Sequence, residues 1–185
     1  MSSRRGACLY GMTDRAPTET KNLDIYGHDP LEWSRARDEI VALAPTTRLA
    51  FFLGTVRPDG RPHSAAFGAA WHDGDLYLVT GPGTQKARNL AAGPACTVSA
   101  RLETLDLVLE CEARRVTDPE TLETLAAHYR EGGWPAEVEG DAFTAPFSAP
   151  SAGPPPWNVY RFVYDVVFGV ATAEPYGATK WSFSG

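Results

Sequence analysis

The chain has 185 residues, enough for one domain with a substantial hydrophobic core. Its formal net charge of −6 and pI of about 5.2 argue against general nucleic-acid binding, which needs a basic face. No apolar run approaches the roughly 20 residues that a membrane span requires, so no membrane partner is expected.

The first residues of the chain show no sign of a folded element or a signal peptide, and its cysteines and histidines show no sign of a metal site. Residues 1–22 are rich in Arg, Ser, Thr and Gly and have no apolar period, which predicts a disordered segment that precedes one folded domain over 23–185. Met1 and Met12 are both candidate natural starts, and neither is followed by the apolar run of a signal peptide. The cysteines Cys8, Cys96 and Cys111 are unclustered, and the four histidines show no metal-ligand spacing. A cytoplasmic protein with reduced thiols and no metal site is expected.

The predicted elements alternate in a pattern typical of antiparallel β structure with a few helices. In chain order they are a helix over 31–44, strands over 49–56, 63–71 and 76–80, a short helix over 84–93, strands over 95–102 and 105–116, a helix from about 117 to 131, a proline-stiffened loop over 143–157 and a strand over 159–171. Asp59-Gly60 and Asp73-Gly74 supply the turns between the first three strands. This order excludes a βαβ dinucleotide-binding fold.

The run "TGPGTQKARNL" (80–90) places two cations and several small polar donors at the start of the short helix. A helix start favours anions, and Thr84, Gln85 and Lys86 add a hydroxyl, an amide and a full charge. One interpretation is a phosphate site with Lys86 as its principal charge. The other is a capped surface helix whose charged side chains are simply solvated.

The strand "HSAAFGAAW" (63–71) carries almost no bulky side chains along its middle. Small residues on a strand mark places where a flat ligand or another backbone approaches closely, although a crowded barrel wall has the same pattern. Combined with the helix start, the strand favours a planar ring lying against backbone with a phosphate tail at the helix.

The order and spacing of these motifs resemble the pyridoxamine 5'-phosphate oxidase-like, flavin-binding split-barrel family over roughly residues 49–183. The resemblance rests on "RPDGRPH", "DGDLYLVTG", "KARNLAAGP" and "LDLVLECEARRVTD", and on the closing "ATKWSF". It implies a mainly β (α+β) fold: a six-stranded antiparallel Greek-key barrel with flanking helices that forms a homodimer. It also implies FMN, or the deazaflavin coenzyme F-420 in some branches, at the dimer interface.

Matched to the family position by position, a set of residues is expected to bind the cofactor. Ser64–Phe67 (Ser64, Ala65, Ala66 and Phe67) would lie along the ring and ribityl chain, with Val79 and Thr80 beside them. Thr84, Gln85 and Lys86 would hold the phosphate, with His63, Arg88 and Asn89 nearby and Asp106 where the partner subunit reaches the flavin.

Three departures separate this chain from the oxidase proper. The oxidase has an arginine where Ser64 stands and a lysine where Ala69 stands, and it ends in an Arg-Leu-Ala-Pro sequence that is absent here. Pyridoxal phosphate is therefore not the expected substrate.

The resulting hypothesis is an FMN-dependent oxidoreductase that acts on a small molecule. The alternatives are a reductase that uses coenzyme F-420 and a non-catalytic cofactor- or haem-binding protein. No acid–base cluster is visible, so no catalytic residue is assigned; a flavin carries hydride or electron chemistry itself. The aromatic loop and tail are expected to line either the substrate pocket or the dimer interface through Trp157, Lys180, Trp181 and Phe183.

Overall fold

Antiparallel strands are the main regular structure in the computed structural model, which describes residues 15–43, 50–148 and 150–184. The helices are α1 (Trp33–Leu43), α2 (Gln85–Ala92) and α3 (Pro119–Glu131), with a short 3-10 helix at Pro150–Ala152. The strands are β1 (Glu19–Asn22), β2 (Phe51–Val56), β3 (Pro62–Phe67), β4 (Ala69–His72), β5 (Asp75–Thr80), β6 (Ala95–Arg101), β7 (Leu105–Val116), β8 (Glu137–Glu139), β9 (Ala142–Thr144), β10 (Asn158–Ala171) and β11 (Ala178–Ser182).

Six of these strand paths close into a barrel. β5 pairs with β10, β10 with β7, β7 with β6, β6 with β2 and β2 with β3, while β4 continues from β3 and pairs back onto β5. When β3 and β4 are counted as one bent strand, the cycle contains six strands, all antiparallel. The mainly β split-barrel fold expected from the sequence is thus confirmed.

The expected strand over 63–71 is divided at Gly68. Residues up to Phe67 pair with β2, whereas residues from Ala69 onward pair with β5, so the chain turns from one neighbour to the other at this glycine. A glycine inside a strand pattern is typical of such a bend, because no side chain obstructs it. This bend is what lets the sheet close.

Two apolar clusters stabilise the fold. The larger fills the barrel and receives the buried face of α1, including Trp33 and Ile40. The smaller lies between α3 and the β5–β10–β7 region and contains Leu122, Leu125 and Trp157. Asp118 caps α3 through its carboxylate, with Pro119 in the first turn, as the sequence pattern indicates.

The prediction of a disordered segment over 1–22 is wrong for its last residues, and its first 14 lie outside the described part of the chain. Glu19–Asn22 form β1, an edge strand paired in register with β11. All four side chains are exposed, so backbone hydrogen bonds rather than apolar burial hold this strand. Such a strand has no apolar period for sequence analysis to detect. Of the helices in the described ranges, none is long and apolar enough to span a membrane.

Candidate cofactor site

The helix start at "TGPGTQKARNL" forms as the sequence indicates. Thr84 is the N-cap of α2, and its hydroxyl oxygen accepts from the Ala87 N–H while donating to the Gly81 carbonyl 2.9 Å away. The buried Thr80 hydroxyl lies 3.0 Å from that of Thr84. The end of β5 and the start of α2 are thereby fixed relative to each other.

Lys86 differs from the expectation of an exposed first-turn lysine, since only 5% of it is accessible. Its ammonium donates to the Ser151 carbonyl oxygen across 2.8 Å, beneath the loop around the 3-10 helix. Burial lowers the pKa of Lys86 from its usual value. The burial of Lys86 is a tertiary effect, because the loop that covers it is 65 residues away in the chain.

A chain of hydrogen bonds connects α2 to β3. Arg88 donates to the Gln85 side-chain oxygen at 2.9 Å, Gln85 donates to Asn89 at 2.7 Å, and Asn89 donates to the Thr55 hydroxyl at 2.9 Å. His63 Nδ1 lies 3.4 Å from the same hydroxyl. Four of the expected cofactor residues thus belong to one polar network, which positions the helix against β2 and β3.

Strand β3 presents its small side chains outward. Ser64 and Ala66 are exposed on the outer face of the sheet, whereas His63, Ala65 and Phe67 point toward the interior. Phe67 is buried between Phe51 and Phe162, with ring centroids 5.9 and 5.6 Å away. Only the outward half of the expected strand segment can meet a ligand on the outer face.

An outward apolar surface borders this small-residue strip. Phe52 lies opposite Ala66, and the same row continues through Ser99 to Val108 and Phe168. Phe52 is 45% exposed, Val108 38% and Val170, in the next row, 50%. Clustered exposed apolar side chains of this kind mark interaction surfaces.

A cavity of about 230 Å³ lies at the end of β3, beside Ser148, Ser151 and Ala152. It brings together three expected cofactor residues, Phe67, Val79 and Lys86, with Tyr129 and Trp134. The last two were not predicted as site residues; they approach from α3 and the residues after it, and no local motif marks them. The volume is below the 300 Å³ or more typical of complete small-molecule sites, so this cavity has room for part of a cofactor only.

The described structure therefore separates expected cofactor residues that the resemblance places along one ligand. Ser64 and Ala66 lie on the outer strip, while Phe67, Val79 and Lys86 line the inner cavity. Asp106 lies elsewhere on the outer face, opposite Val170, where it forms a two-bond ion pair with Arg101 at 2.7 and 2.8 Å. That pair lowers the pKa of Asp106.

The expectation for the aromatic loop and tail is wrong for three of its four residues. Trp157 and Trp181 are completely buried within the chain and Phe183 nearly so, and they donate to or pack against neighbouring core groups. Trp181 and Phe183 reach the core because β11 pairs with β10. Trp157 reaches it because its backbone forms a β-bridge with Phe143 of β9. Lys180 is half-buried on the outer face opposite Phe168, and its role stays a prediction.

A larger cavity, about 880 Å³, lies apart from these residues, between 27–35 and 174–176. The Arg35 guanidinium that lines it makes four hydrogen bonds inside the chain, to Thr104, Ala173 and Pro175. Among the residues described, no group of three His, Cys, Asp or Glu side chains is arranged to hold a metal ion.

Comparison with known proteins identifies the family. Residues 36–152, more than half of the chain, match the sequence model of the pyridoxamine 5'-phosphate oxidase family. The chain belongs to this family. The matched region contains the β3 strip, the α2 start and the loop that covers Lys86. No curated protein matches the chain at a significant level.

Solved structures of low sequence identity share the fold of this pyridoxamine 5'-phosphate oxidase family member. A NimC/NimA family protein from Clostridium acetobutylicum has a TM-score of 0.54 at 14% identity, over 81% of this chain and 91% of that one. A pyridoxamine 5'-phosphate oxidase-related, FMN-binding protein from Nostoc punctiforme has a TM-score of 0.53 at 16% identity, over 78% and 86%. A haem-binding protein from Mycobacterium smegmatis has a TM-score of 0.52 at 16% identity, over 77% and 57%.

Proposed function

We propose that this protein is a homodimeric, FMN-dependent oxidoreductase that acts on a small molecule. The observation that carries the proposal is the small-residue strip of β3, bordered by exposed apolar side chains, while α2 is fixed to the adjacent strand β2 by the Asn89–Thr55 hydrogen bond. Membership of an oxidase family and the fold shared with an FMN-binding protein from Nostoc punctiforme support it.

The second subunit is proposed because the cofactor strip is otherwise open. Ser64 and Ala66 lie on an exposed sheet surface, where no residue of the described ranges covers a planar ring. The neighbouring exposed side chains, Phe52, Val108 and Val170, suit burial against an identical copy. A second copy seated on this surface encloses the ring between the two chains.

The α2 start can bind a phosphate if the Lys86 ammonium exchanges its present acceptor for a phosphate oxygen. The Lys86 ammonium already donates to an oxygen atom, the carbonyl of Ser151. A phosphate oxygen accepts the same bond and adds a charge, which makes it the stronger acceptor. The Thr84 hydroxyl and the first backbone N–H groups of α2 are further polar groups at the same turn that a phosphate can contact.

The isoalloxazine ring of FMN supplies hydride or electron transfer when bound. The chain's residues bind and shield: Ser64 and Ala66 permit close approach, and the Asn89–Thr55 hydrogen bond holds α2 against the barrel. No side chain is assigned to proton transfer.

The absorption spectrum of the purified protein tests the cofactor class. Bound FMN gives a yellow protein with two visible bands. A single band near the violet edge indicates the deazaflavin coenzyme instead, and a Soret band indicates haem. Either of these replaces the proposal by its alternative.

Titration of Lys86→Met with FMN and with riboflavin tests the phosphate site. The variant keeps the buried stem and loses the charge, so FMN affinity should fall about ten- to hundredfold, the worth of a charge-assisted hydrogen bond. Riboflavin, which lacks the phosphate, should bind both proteins alike. Arg88→Met is the matched control: its guanidinium is exposed and donates to Gly83 and Gln85, so the loss should be smaller. Unchanged FMN affinity in Lys86→Met contradicts the assignment.

A further inference from the structure

Two cysteine side chains meet inside the barrel. Cys96 on β6 and Cys111 on β7 are directly opposite in the antiparallel ladder, and their Sγ atoms are 3.7 Å apart. Both are free thiols and buried, with 9% and 7% accessibility. Neither cysteine is one of the expected cofactor residues.

The backbone at this position suits a disulfide. Directly opposite residues in an antiparallel ladder have Cα atoms about 4.5 or 5.5 Å apart, and both values fall within the range of about 4.4–6.8 Å seen in disulfides. The sulfurs need to approach from 3.7 Å to about 2.05 Å. Side-chain rotation can provide this approach without breaking the ladder.

The two thiols are chemically unequal. The hydrogen bond from Cys111 lowers the pKa of Cys96, whereas the same bond, together with burial, raises the pKa of Cys111. The thiolate is the reactive form of cysteine, and each Sγ lies within reach of the other.

We propose that Cys96 and Cys111 form a redox-active dithiol that hydrogen peroxide, a small uncharged oxidant, converts to an intrachain disulfide. The thiolate of one of the two cysteines attacks one peroxide oxygen and breaks the O–O bond, giving a sulfenic acid and hydroxide. The thiol of the other cysteine then attacks the sulfenic sulfur; the S–S bond forms, the S–O bond breaks, and the leaving hydroxyl takes the thiol proton and departs as water. Two thiols and one peroxide yield one disulfide and two waters, with two electrons passing to the peroxide.

The position of the pair connects it to the cofactor helix. Cys96 is the second residue of β6, and β6 begins two residues after Gly93, the C-cap of α2. It also lies one position beyond the Gly54–Thr97 pair, next to the strand that carries Thr55. A disulfide therefore ties the exit of α2 to β7 and closes a loop of about 15 residues, which stabilises the folded state.

The test uses the full chain with Cys8→Ser, so that Cys8 cannot exchange. After brief peroxide treatment and quenching with catalase, mass spectrometry should show a loss of about 2 Da and a peptide that joins Cys96 to Cys111. The Tm should rise by about 5 °C and return to its starting value with dithiothreitol. Cys96→Ala and Cys111→Ala, in the same background, should show neither change.

Two results overturn the proposal. In one, both thiols stay free in the folded protein under peroxide treatment that pairs them in urea-unfolded protein, which leaves the pair as core packing only. In the other, the oxidised product links different chains.

Discussion

The Lys86 ammonium donates to the Ser151 carbonyl oxygen across 2.8 Å, and the loop that carries Ser151 makes a second bond to the same turn. The Gly81 N–H donates to the next carbonyl, that of Ala152, at 2.7 Å. Two consecutive carbonyls are therefore held by the turn that is proposed to bind the phosphate. The loop and the turn form one structural unit.

Gly81→Ala should break this unit. A Cβ at Gly81 would lie 2.7 Å from the Ala152 oxygen and 3.1 Å from that of Pro154, and both are backbone atoms. We expect the loop to shift and the free energy of unfolding to fall by about 1–3 kcal/mol, as for other overpacked sites, measured by urea titration.

Gly83→Ala is the matched control in the same turn. A Cβ there has open space, with no heavy atom within 4 Å, so its stability should stay close to that of the natural protein. Equal effects of the two alanines would show that the loop contact does not determine the stability of this turn.

Phe52→Asp should convert the proposed dimer to a monomer. Phe52 lies in the centre of the outward apolar surface, and a buried, unpaired carboxylate there opposes association. Size-exclusion chromatography with light scattering should give twice the chain mass of 20.0 kDa for the natural protein and 20.0 kDa for the variant. Val41→Asp, at a comparably exposed site on α1, should stay dimeric. A natural protein that elutes as a monomer rules out this interface.

Local rules account for the parts of the fold that the sequence could predict. Asp73-Gly74 forms its turn with both residues at positive φ, and Thr84 and Asp118 cap their helices, because each feature depends on a few neighbouring residues. The barrel strands follow from apolar alternation. Helices α2 and α3 lie within one or two residues of their predicted ranges for the same reason.

Long-range contacts account for what the sequence could not predict. The sequence around Lys86 is that of a solvent-exposed lysine. The chain returns over it at Ser151, 65 residues later, and this return buries it. Tyr129 and Trp134 join Lys86 at the inner cavity from α3 and the residues after it, and no periodic pattern encodes that meeting. Trp181 is similar: its place beside Trp33 in the core depends on the pairing of β11 with β10.

Because β1 is an ordered edge strand, we expect two truncations of the N-terminal segment to have different Tm values. A chain that starts at Met12 keeps Arg15 and β1, and its Tm should be unchanged. A chain that starts at Leu23 loses the β1–β11 ladder and the Arg15 hydrogen bonds to the Tyr164 and Ser184 carbonyls, so its Tm should fall. Thermal unfolding of both distinguishes a stabilising strand from a dispensable tail; equal Tm values would support the latter.

Arg15→Ala isolates the side-chain part of that effect. Arg15 stacks on the Tyr164 ring at 4.7 Å and lies 3.6 Å from the buried Asp75 carboxylate, which also pairs with Arg161 at 2.5 Å. Burial raises the pKa of Asp75, and the two cations oppose that rise. Removing one cation should lower the free energy of unfolding by about 1–2 kcal/mol. Arg61→Ala, in an exposed pair with Asp59, should cost less.

The stability of the fold should also depend on pH through His128. Burial and the neighbouring His72, whose ring centroid is 5.7 Å away, lower the pKa of His128, while Glu131 opposes the shift. The unfolded chain, with a histidine pKa near 6.5, therefore binds a proton at higher pH than the folded protein does. Protonation favours the unfolded state, so stability should fall as pH drops below about 6.5 and stop falling below the folded pKa.

The difference in unfolding free energy between the natural protein and His128→Gln isolates this term, because the carboxylates titrate alike in both. That difference should change between pH 7 and pH 5, with the natural protein losing more stability. His72→Gln should reduce the change without abolishing it, since burial, the larger cause, remains. A difference that stays constant from pH 8 to pH 5 would mean that His128 titrates alike in the folded and unfolded chains, and that its contact with His72 has no electrostatic consequence.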